Sequence, residues 1–161
     1  MNKRAAALVD KLQLSPHPEG GYYREVHRSV NMVESPQNRK MRSAITEIYF
    51  LLISGQPSRF HRVIHDEIWH YYEGEALEII EIQPDTLEVS KTIIGNTGGI
   101  ARYMHCVKGL NWQAAYSMGD YSLAGCTVAP GFDFSDFKFL KEEEAVRSAV
   151  LKNNPELSDL I

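Results

Sequence analysis

The sequence predicts an antiparallel all-β domain, a sandwich or a barrel, with a short helix at each end. Short apolar segments recur through the middle of the chain, turn-forming residues separate them, and helical periodicity is confined to the termini. The absence of any alternation between strands and long helices excludes a doubly wound or TIM-type sheet. The predicted strands are Tyr22–His27, Ala44–Ile53, Arg59–His65, Glu67–Tyr72, Ala76–Ile82, Leu87–Ile94, Arg102–Val107, Trp112–Tyr116 and Tyr121–Val128.

Apolar residues spaced three and four apart predict the two terminal helices. The first spans Ala5–Leu12 and is terminated by Ser15-Pro16. The second is weaker and begins at Ser135 or Asp136, with Glu142–Glu144 favouring its first turn through the helix dipole. Residues 29–42 are rich in Asn, Gln, Ser and Arg, and we expect a long irregular surface loop there.

Composition narrows the class of protein and its partners. The chain has 161 residues, 43% of them hydrophobic and 24% charged, which suits one globular domain over residues 1–161. A net charge of −4 argues against nucleic acid as a partner. The longest apolar run, residues 48–53, is too short to cross a bilayer, and residues 1–10 do not form a signal peptide. We therefore expect a cytoplasmic protein with no membrane partner.

The densest group of chemically active side chains lies in residues 59–74. Alternation along a strand places Arg59 and His61 on one face, and Glu67 and Trp69 on one face of the strand that follows. Arg, His, Glu and Trp side chains facing the inside of a barrel suit a ligand pocket better than a structural core, because buried charges need partners.

Spacing in the same window resembles the first motif of cupins, in which five residues separate a Gly from His-x-His and six residues separate a later Glu from a second Gly. Here five residues separate Gly55 from His61 and six separate Glu67 from Gly74, although Val63 stands where the second histidine belongs. The second cupin motif, Pro-x-Gly-x-x-His, resembles residues 108–113, in which Gln113 replaces the histidine.

Three further segments, PEGGYYR at 18–24, IYFLL at 48–52 and LAGCTVAPGF at 123–132, are similar to the uncharacterised cupin family five. The resemblance covers roughly residues 8 to 140. It implies a cupin double-stranded β-helix, a jelly-roll barrel close in fold to the sugar-nucleotide epimerases.

Cupin metal sites use three histidines and one glutamate, and the resemblance transfers only part of that set. His61 and Glu67 remain, and Gln113 offers an amide oxygen, so a divalent metal would have an incomplete set of ligands. The sequence therefore predicts no definite cofactor, and a divalent metal held by these three residues is the one candidate.

The resemblance to epimerases implies acid–base chemistry, with a histidine as base and a tyrosine as acid. His61 is the predicted base and Glu67 orients it. Tyr22, Tyr23, Tyr71 and Tyr121 all remain open as the acid, and Tyr121 is carried into the predicted catalytic set. The predicted ligand contacts are Arg24, Tyr22, Arg59, Trp69 and Gln113, with the arginines holding an anion.

These residues predict a small-molecule-binding protein with epimerase- or isomerase-like activity on a polar, anionic, sugar-type ligand in the barrel. The alternatives are a non-catalytic metabolite-binding cupin and a metal-dependent cupin oxygenase. The resemblance also implies a homodimer. Loop 29–42 carries Arg39, Lys40 and Arg42, and a lid that attracts anions is a further expectation. His17, in a stiff Pro-flanked loop, is expected at the surface.

Overall fold

Two antiparallel β-sheets form most of the structure, a computed structural model that describes residues 1–99 and 101–161. The strands are β1 Ser15–Pro16, β2 Tyr22–Arg28, β3 Met32–Glu34, β4 Met41–Ser43, β5 Thr46–Ile53, β6 Ser58–Arg62, β7 Asp66–Gly74, β8 Leu77–Ile82, β9 Val89–Ile94, β10 Met104–Val107, β11 Trp112–Ser117, β12 Tyr121–Ala129 and β13 Lys138–Phe139. The helices are α1 Lys3–Leu12 and α2 Glu144–Asn153, with 3-10 turns at Phe134–Asp136, Leu140–Glu142 and Pro155–Leu160.

The strand order is that of a jelly roll. One sheet runs β1-β2-β5-β12-β7-β10 and the other runs β13-β6-β11-β8-β9. Within them, β5-β12-β7-β10 and β6-β11-β8-β9 form two facing four-stranded halves, and chain neighbours such as β5 and β6 lie in different sheets. The predicted all-β jelly-roll class is confirmed.

Apolar side chains fill three layers. Phe50, Trp69 and Ile79 belong to the cluster between the two sheets. Helix α1 covers part of the outer face of the six-stranded sheet, where Leu8 packs in a cluster with Leu51 and Leu123. Helix α2 and the C-terminal turn cover the outer face of the five-stranded sheet through a cluster that includes Phe60, Leu140 and Val150. No helix in the described ranges combines the length and apolarity needed to cross a membrane.

The predicted strands are confirmed with shifted ends, whereas two other predictions are wrong. Residues 29–42 are not irregular, because β3 and β4 pair as a hairpin, with Val33 opposite Arg42. The C-terminal helix begins at Glu144 rather than at Ser135 or Asp136. Those two residues lie in a 3-10 turn, after which the chain becomes extended in β13.

Candidate active site

A cavity of about 500 Å³ opens between the two sheets. Four histidine and glutamate side chains in its wall are almost fully buried, namely His17, Glu19, His61 and Glu67. Val63 contributes to its apolar wall. A cavity of this size with a few convergent polar groups is typical of a small-molecule site.

A β-bulge in β6 determines which side chains face the cavity. In β11, Gln113 pairs with His61 and Ala115 pairs with Ser58, so β6 has one residue more than β11 between these two pairs. The extra residue interrupts the alternation of side chains. Ser58 and His61 are therefore both buried, while Arg59 is exposed.

His61 is held in one tautomer by its backbone neighbour. Its Nδ1 lies 2.8 Å from the carbonyl oxygen of Arg59. Because a carbonyl oxygen only accepts hydrogen bonds, Nδ1 carries the proton and Nε2 carries the lone pair. No described buried side-chain nitrogen or oxygen is left without a hydrogen-bond partner. Nε2 of His61 has no hydrogen-bond partner in the described chain, so it is not one of the fully buried atoms. Because His61 lines the cavity, the accessible Nε2 contacts the cavity.

Glu19 lies between the two histidines of the cavity wall. Its Oε2 is 3.2 Å from Nδ1 of His61 and 3.7 Å from Nδ1 of His17, and Ser58 Oγ donates to its Oε1 at 3.0 Å. The next residue, Gly20, has φ +121°, and a Cβ there would lie 2.0 Å from the carbonyl oxygen of Pro57. Glycine thus allows this segment to approach β6 closely enough to bring Glu19 to His61.

Gln113 connects Trp69 to Glu67. Nε1 of Trp69 donates to Oε1 of Gln113 at 2.9 Å, and Nε2 of Gln113 donates to Oε2 of Glu67 at 2.5 Å. Trp69 itself packs against Phe50 in the core. Trp69 and Gln113, both predicted to touch ligand, instead lie behind the cavity wall and orient Glu67.

Burial shifts the pKa values of the four buried histidine and glutamate side chains toward their neutral forms. It raises the pKa of Glu19 to about 8, against the opposing effect of the Ser58 hydrogen bond, and it also raises the pKa of Glu67. It lowers the pKa of His17 to about 4 and lowers that of His61, the nearby Glu67 charge acting in the opposite direction. At neutral pH the cavity therefore holds neutral imidazoles and a protonated Glu19.

Only one of the four candidate tyrosines lines the cavity, and it is Tyr23. Tyr22 and Tyr121 pack against the cluster under α1, on the outer face of the sheet, and the Tyr121 hydroxyl donates to Glu73. The Tyr71 hydroxyl donates to a backbone carbonyl oxygen. The structure therefore places the predicted catalytic Tyr121 and the predicted ligand contact Tyr22 away from His61.

The two predicted anion-binding arginines also lie elsewhere. Nη1 of Arg24 donates to the carbonyl oxygen of Leu12 and to Gln13, and Nη1 of Arg59 donates to the carbonyl oxygen of Asp159. Arg28 lines the cavity instead. Its guanidinium forms a two-bond ion pair with Glu25, at 2.9 and 2.7 Å, which neutralises its charge.

Comparison with known proteins identifies the family. A family model described as "Cupin superfamily (DUF985)" matches residues 6–140. The chain belongs to this cupin family. It is 30% identical to the uncharacterized protein YML079W of Saccharomyces cerevisiae, over 89% of this chain and 78% of the yeast protein.

Solved structures agree with the cupin fold. Protein SO0799 of Shewanella oneidensis superposes with a TM-score of 0.84 at 32% identity, and a hypothetical protein from Leishmania major with 0.83 at 29%; each match covers 97% of this chain and 96% of the other. Oxalate decarboxylase of Bacillus subtilis matches with a TM-score of 0.59 at 14% identity, over 91% of this chain and 37% of that one. That last likeness concerns the fold alone.

The metal site common among cupins does not fit the side chains of this family member. Gln113 Oε1 accepts the Trp69 N–H, and Val63 occupies the wall where a histidine ligand would be needed. No three His, Cys, Asp or Glu side chains in residues 1–99 and 101–161 are grouped so as to hold a metal ion. The predicted set His61, Glu67 and Gln113 therefore lacks an available third ligand.

The β3–β4 hairpin of this cupin does not contribute to the cavity lining. Arg39 pairs with Glu34 at 2.8 Å, and Arg42 pairs with Asp136 at 2.7 Å, so two of the three basic residues of the expected lid are engaged in ion pairs. Gln37, Asn38 and Lys40 line a separate cleft.

Sequence reasoning missed several residues of the cavity wall. The expectation that His17 lies at the surface is wrong, because its side chain is only 7% exposed. Glu19 and Tyr23 belong to the PEGGYYR segment, whose residues carry the family resemblance. Side chains alternate between the two faces of a strand, so Tyr23 and Glu25 of β2 share one face and both line the cavity. Tyr22 lies on the opposite face.

Proposed function

We propose that this cupin is a proton-transfer enzyme with epimerase- or isomerase-like activity on a small polar carbonyl compound. One observation carries the proposal: a buried histidine, fixed as the Nδ1–H tautomer by the Arg59 carbonyl, has its free Nε2 in contact with the cavity between the sheets. A neutral imidazole with a free nitrogen is a suitable general base for removing a proton beside a carbonyl.

The reaction would begin at Nε2 of His61. Nε2 takes the proton from the carbon next to the substrate carbonyl, and the electron pair of the broken C–H bond moves into an enolate. The charge of Glu67 acts to raise the pKa of His61 and so stabilises the imidazolium formed in this step, while Glu19 lies 3.2 Å from its Nδ1. Tyr23, the tyrosine of the cavity wall, returns a proton to the enolate, and exchange with water resets both groups.

The cavity wall favours an uncharged substrate over the anionic one expected from Arg24 and Arg59. Neither of those arginines lines the cavity, and Glu25 neutralises Arg28. Aromatic side chains complete the wall: Phe134, 54% exposed, packs edge to face on Phe132 with ring centroids 4.9 Å apart. Flat apolar rings suit the C–H faces of a sugar, so we propose a neutral, sugar-type hydroxycarbonyl compound.

Deuterium exchange tests the proposed activity across a panel of candidate substrates. The protein is incubated in D₂O with uncharged aldoses and ketoses and the matching sugar phosphates, and NMR follows deuterium entry beside the carbonyl. We expect exchange with an uncharged member and a loss of at least about 100-fold in His61→Asn. Asparagine keeps a donor for the Arg59 carbonyl and lacks Nε2.

The matched control is His27→Asn, because His27 lies on the exposed part of β2. Its exchange rate is expected to equal that of the wild type. Equal rates in His61→Asn and the wild type contradict the assignment of the base. Saturable ligand binding with no exchange by the wild type contradicts the activity and favours the non-catalytic binding protein.

A further inference from the structure

A second cleft, of about 470 Å³, lies between the β3–β4 hairpin and the edge formed by β6 and β13. Lys40 enters it from the hairpin, Arg62 from β6 and Lys138 from β13. The residues lining this cleft and those lining the active-site cavity do not overlap. It is therefore a separate concave surface with three cationic side chains.

The acidic side chain in this cleft is already engaged. Asp136 accepts hydrogen bonds from Nε and Nη2 of Arg42 at 2.7 and 2.8 Å, and from Nδ2 of Asn38 at 2.9 Å. Arg42 thereby neutralises its charge. In the described part of the chain Lys40 and Arg62 form no ion pair, whereas Lys138 pairs with Glu143 at 3.1 Å. Two of the three cations therefore keep an uncompensated charge in the cleft, in a protein whose net charge is −4.

Two of the cations stand directly opposite each other across a strand pair. Lys138 in β13 is the register partner of Arg62 in β6. Like charges in this position repel and destabilise the pairing. Glu143 contacts Nζ of Lys138 at 3.1 Å, whereas Arg62 lies over the Trp112 ring at 4.6 Å and forms no ion pair in the described part of the chain. Glu143 balances the charge of Lys138, and an anion held beside Arg62 and Lys40 would balance the charges that remain.

We propose that this cleft binds the phosphate group of a small phosphorylated molecule. Arginine offers two parallel donors to a phosphate and lysine adds a point charge, so Arg62, Lys138 and Lys40 suit a phosphate group. The apolar side chains of Ile64 and Leu110 in the same cleft provide a surface for the organic part of the ligand. The site is independent of His61 and of the reaction proposed above.

Calorimetric titration with pyrophosphate, at low and high salt, tests this proposal. We expect saturable binding to the wild type that weakens as salt rises. The double variant Arg62→Gln/Lys138→Gln should weaken binding at least tenfold. The control Lys91→Gln/Lys152→Gln removes the same charge at exposed positions of β9 and α2 and should change binding less than twofold. Equal weakening in the two double variants, or no saturable binding to the wild type, overturns the proposal.

Two further variants keep the test decisive. Lys40→Gln removes an exposed side chain of the hairpin, so it should fold normally and weaken pyrophosphate binding at least threefold. Unchanged binding in this folded variant counts against the proposal if the double variant does not fold. His61→Asn should bind pyrophosphate as the wild type does, which separates this site from the proposed active site.

Discussion

Oε2 of Glu19 lies 3.2 Å from Nδ1 of His61, and the two side chains are only 7% and 3% exposed. Nδ1 of His61 donates its proton to the carbonyl oxygen of Arg59, and Glu19 lies beside this bond within ion-pair distance. A proton taken up at Nε2 places a positive charge beside Glu19 and favours ionisation of its carboxyl, so the two groups titrate as a coupled pair. Glu19, rather than the predicted Glu67, is therefore the carboxyl nearest to Nδ1 of His61, the proposed base.

Replacing Glu19 by Gln should change how stability depends on pH. Folding raises the pKa of Glu19 from 4.5 to about 8, so its contribution to stability falls as pH rises between those values. Folding lowers the pKa of His17 from 6.5 to about 4, so its contribution falls as pH drops through that range. Of these two groups, only Glu19 makes stability depend on pH above pH 6.5. The wild-type Tm should therefore fall from pH 6.5 to 8.5, and that of Glu19→Gln should fall less.

Thermal unfolding at a series of pH values gives this comparison. Glu156→Gln, at an exposed position near the C-terminus, is the control and should reproduce the wild-type slope. A Glu19→Gln protein with the same slope as the wild type would show that Glu19 is ionised throughout this range.

Tyr23 and Tyr22 provide a matched pair of variants for testing Tyr23 as the proposed catalytic acid. They are adjacent in β2, but Tyr23 lines the cavity and Tyr22 packs under α1. Tyr23→Phe should lower deuterium exchange by about 100-fold, in the range of general acid catalysis, and Tyr22→Phe should leave it unchanged. The measurement is the NMR exchange assay with thermal unfolding as a check. Exchange that falls equally in both variants would show a structural effect and not acid catalysis.

Much of the fold could be predicted from the sequence because it depends on local patterns. Turn residues and apolar strands predict the all-β class, and the spacing of Gly55 and His61 locates the first cupin motif. His61 and Glu67 lie inside as predicted, because both belong to these strands. The hairpin in residues 29–42 escapes prediction because its strands, β3 and β4, are only three residues each.

Non-local contacts explain the errors in the predicted site. Strict alternation places Arg59 beside His61, and the bulge in β6 that prevents this is visible only in its pairing with β11. Glu19 reaches His61 because the chain at Gly20 touches Pro57, a contact between segments far apart in sequence. Arg24 has the residue type of an anion-binding group, but its hydrogen bonds to the end of α1 depend on tertiary packing.

Replacing Gln113 by Leu should destabilise the protein without creating a cavity. The substitution leaves the Trp69 N–H and the Glu67 carboxyl buried without their partner. Each unsatisfied buried group costs about 1–3 kcal/mol, so we expect the two groups to lower the free energy of unfolding by about 2–6 kcal/mol. Denaturant titration measures it. The control Gln56→Leu, at an exposed turn position, should change stability by less than about 0.5 kcal/mol. A near-neutral Gln113→Leu would contradict the bridging role.

The buried ion pair of Arg42 and Asp136 should be the most sensitive polar contact of the β3–β4 hairpin. The two side chains are 9% and 4% exposed, and two hydrogen bonds join them. Arg42→Met leaves Asp136 as a buried charge without its cation, and we expect a loss of about 3–5 kcal/mol in unfolding free energy. Removing both charges with Arg42→Met/Asp136→Leu should cost less than Arg42→Met alone, because no unpaired charge remains.

An exposed ion pair is the control for this comparison. Glu144 and Arg147 pair on the surface of α2, with side chains 73% and 37% exposed. Because water screens such a pair, Glu144→Gln should cost less than about 1 kcal/mol. Urea unfolding of the three variants measures these differences. If the double variant loses as much stability as Arg42→Met, the loss comes from the missing ion pair and not from leaving Asp136 as an unpaired buried charge.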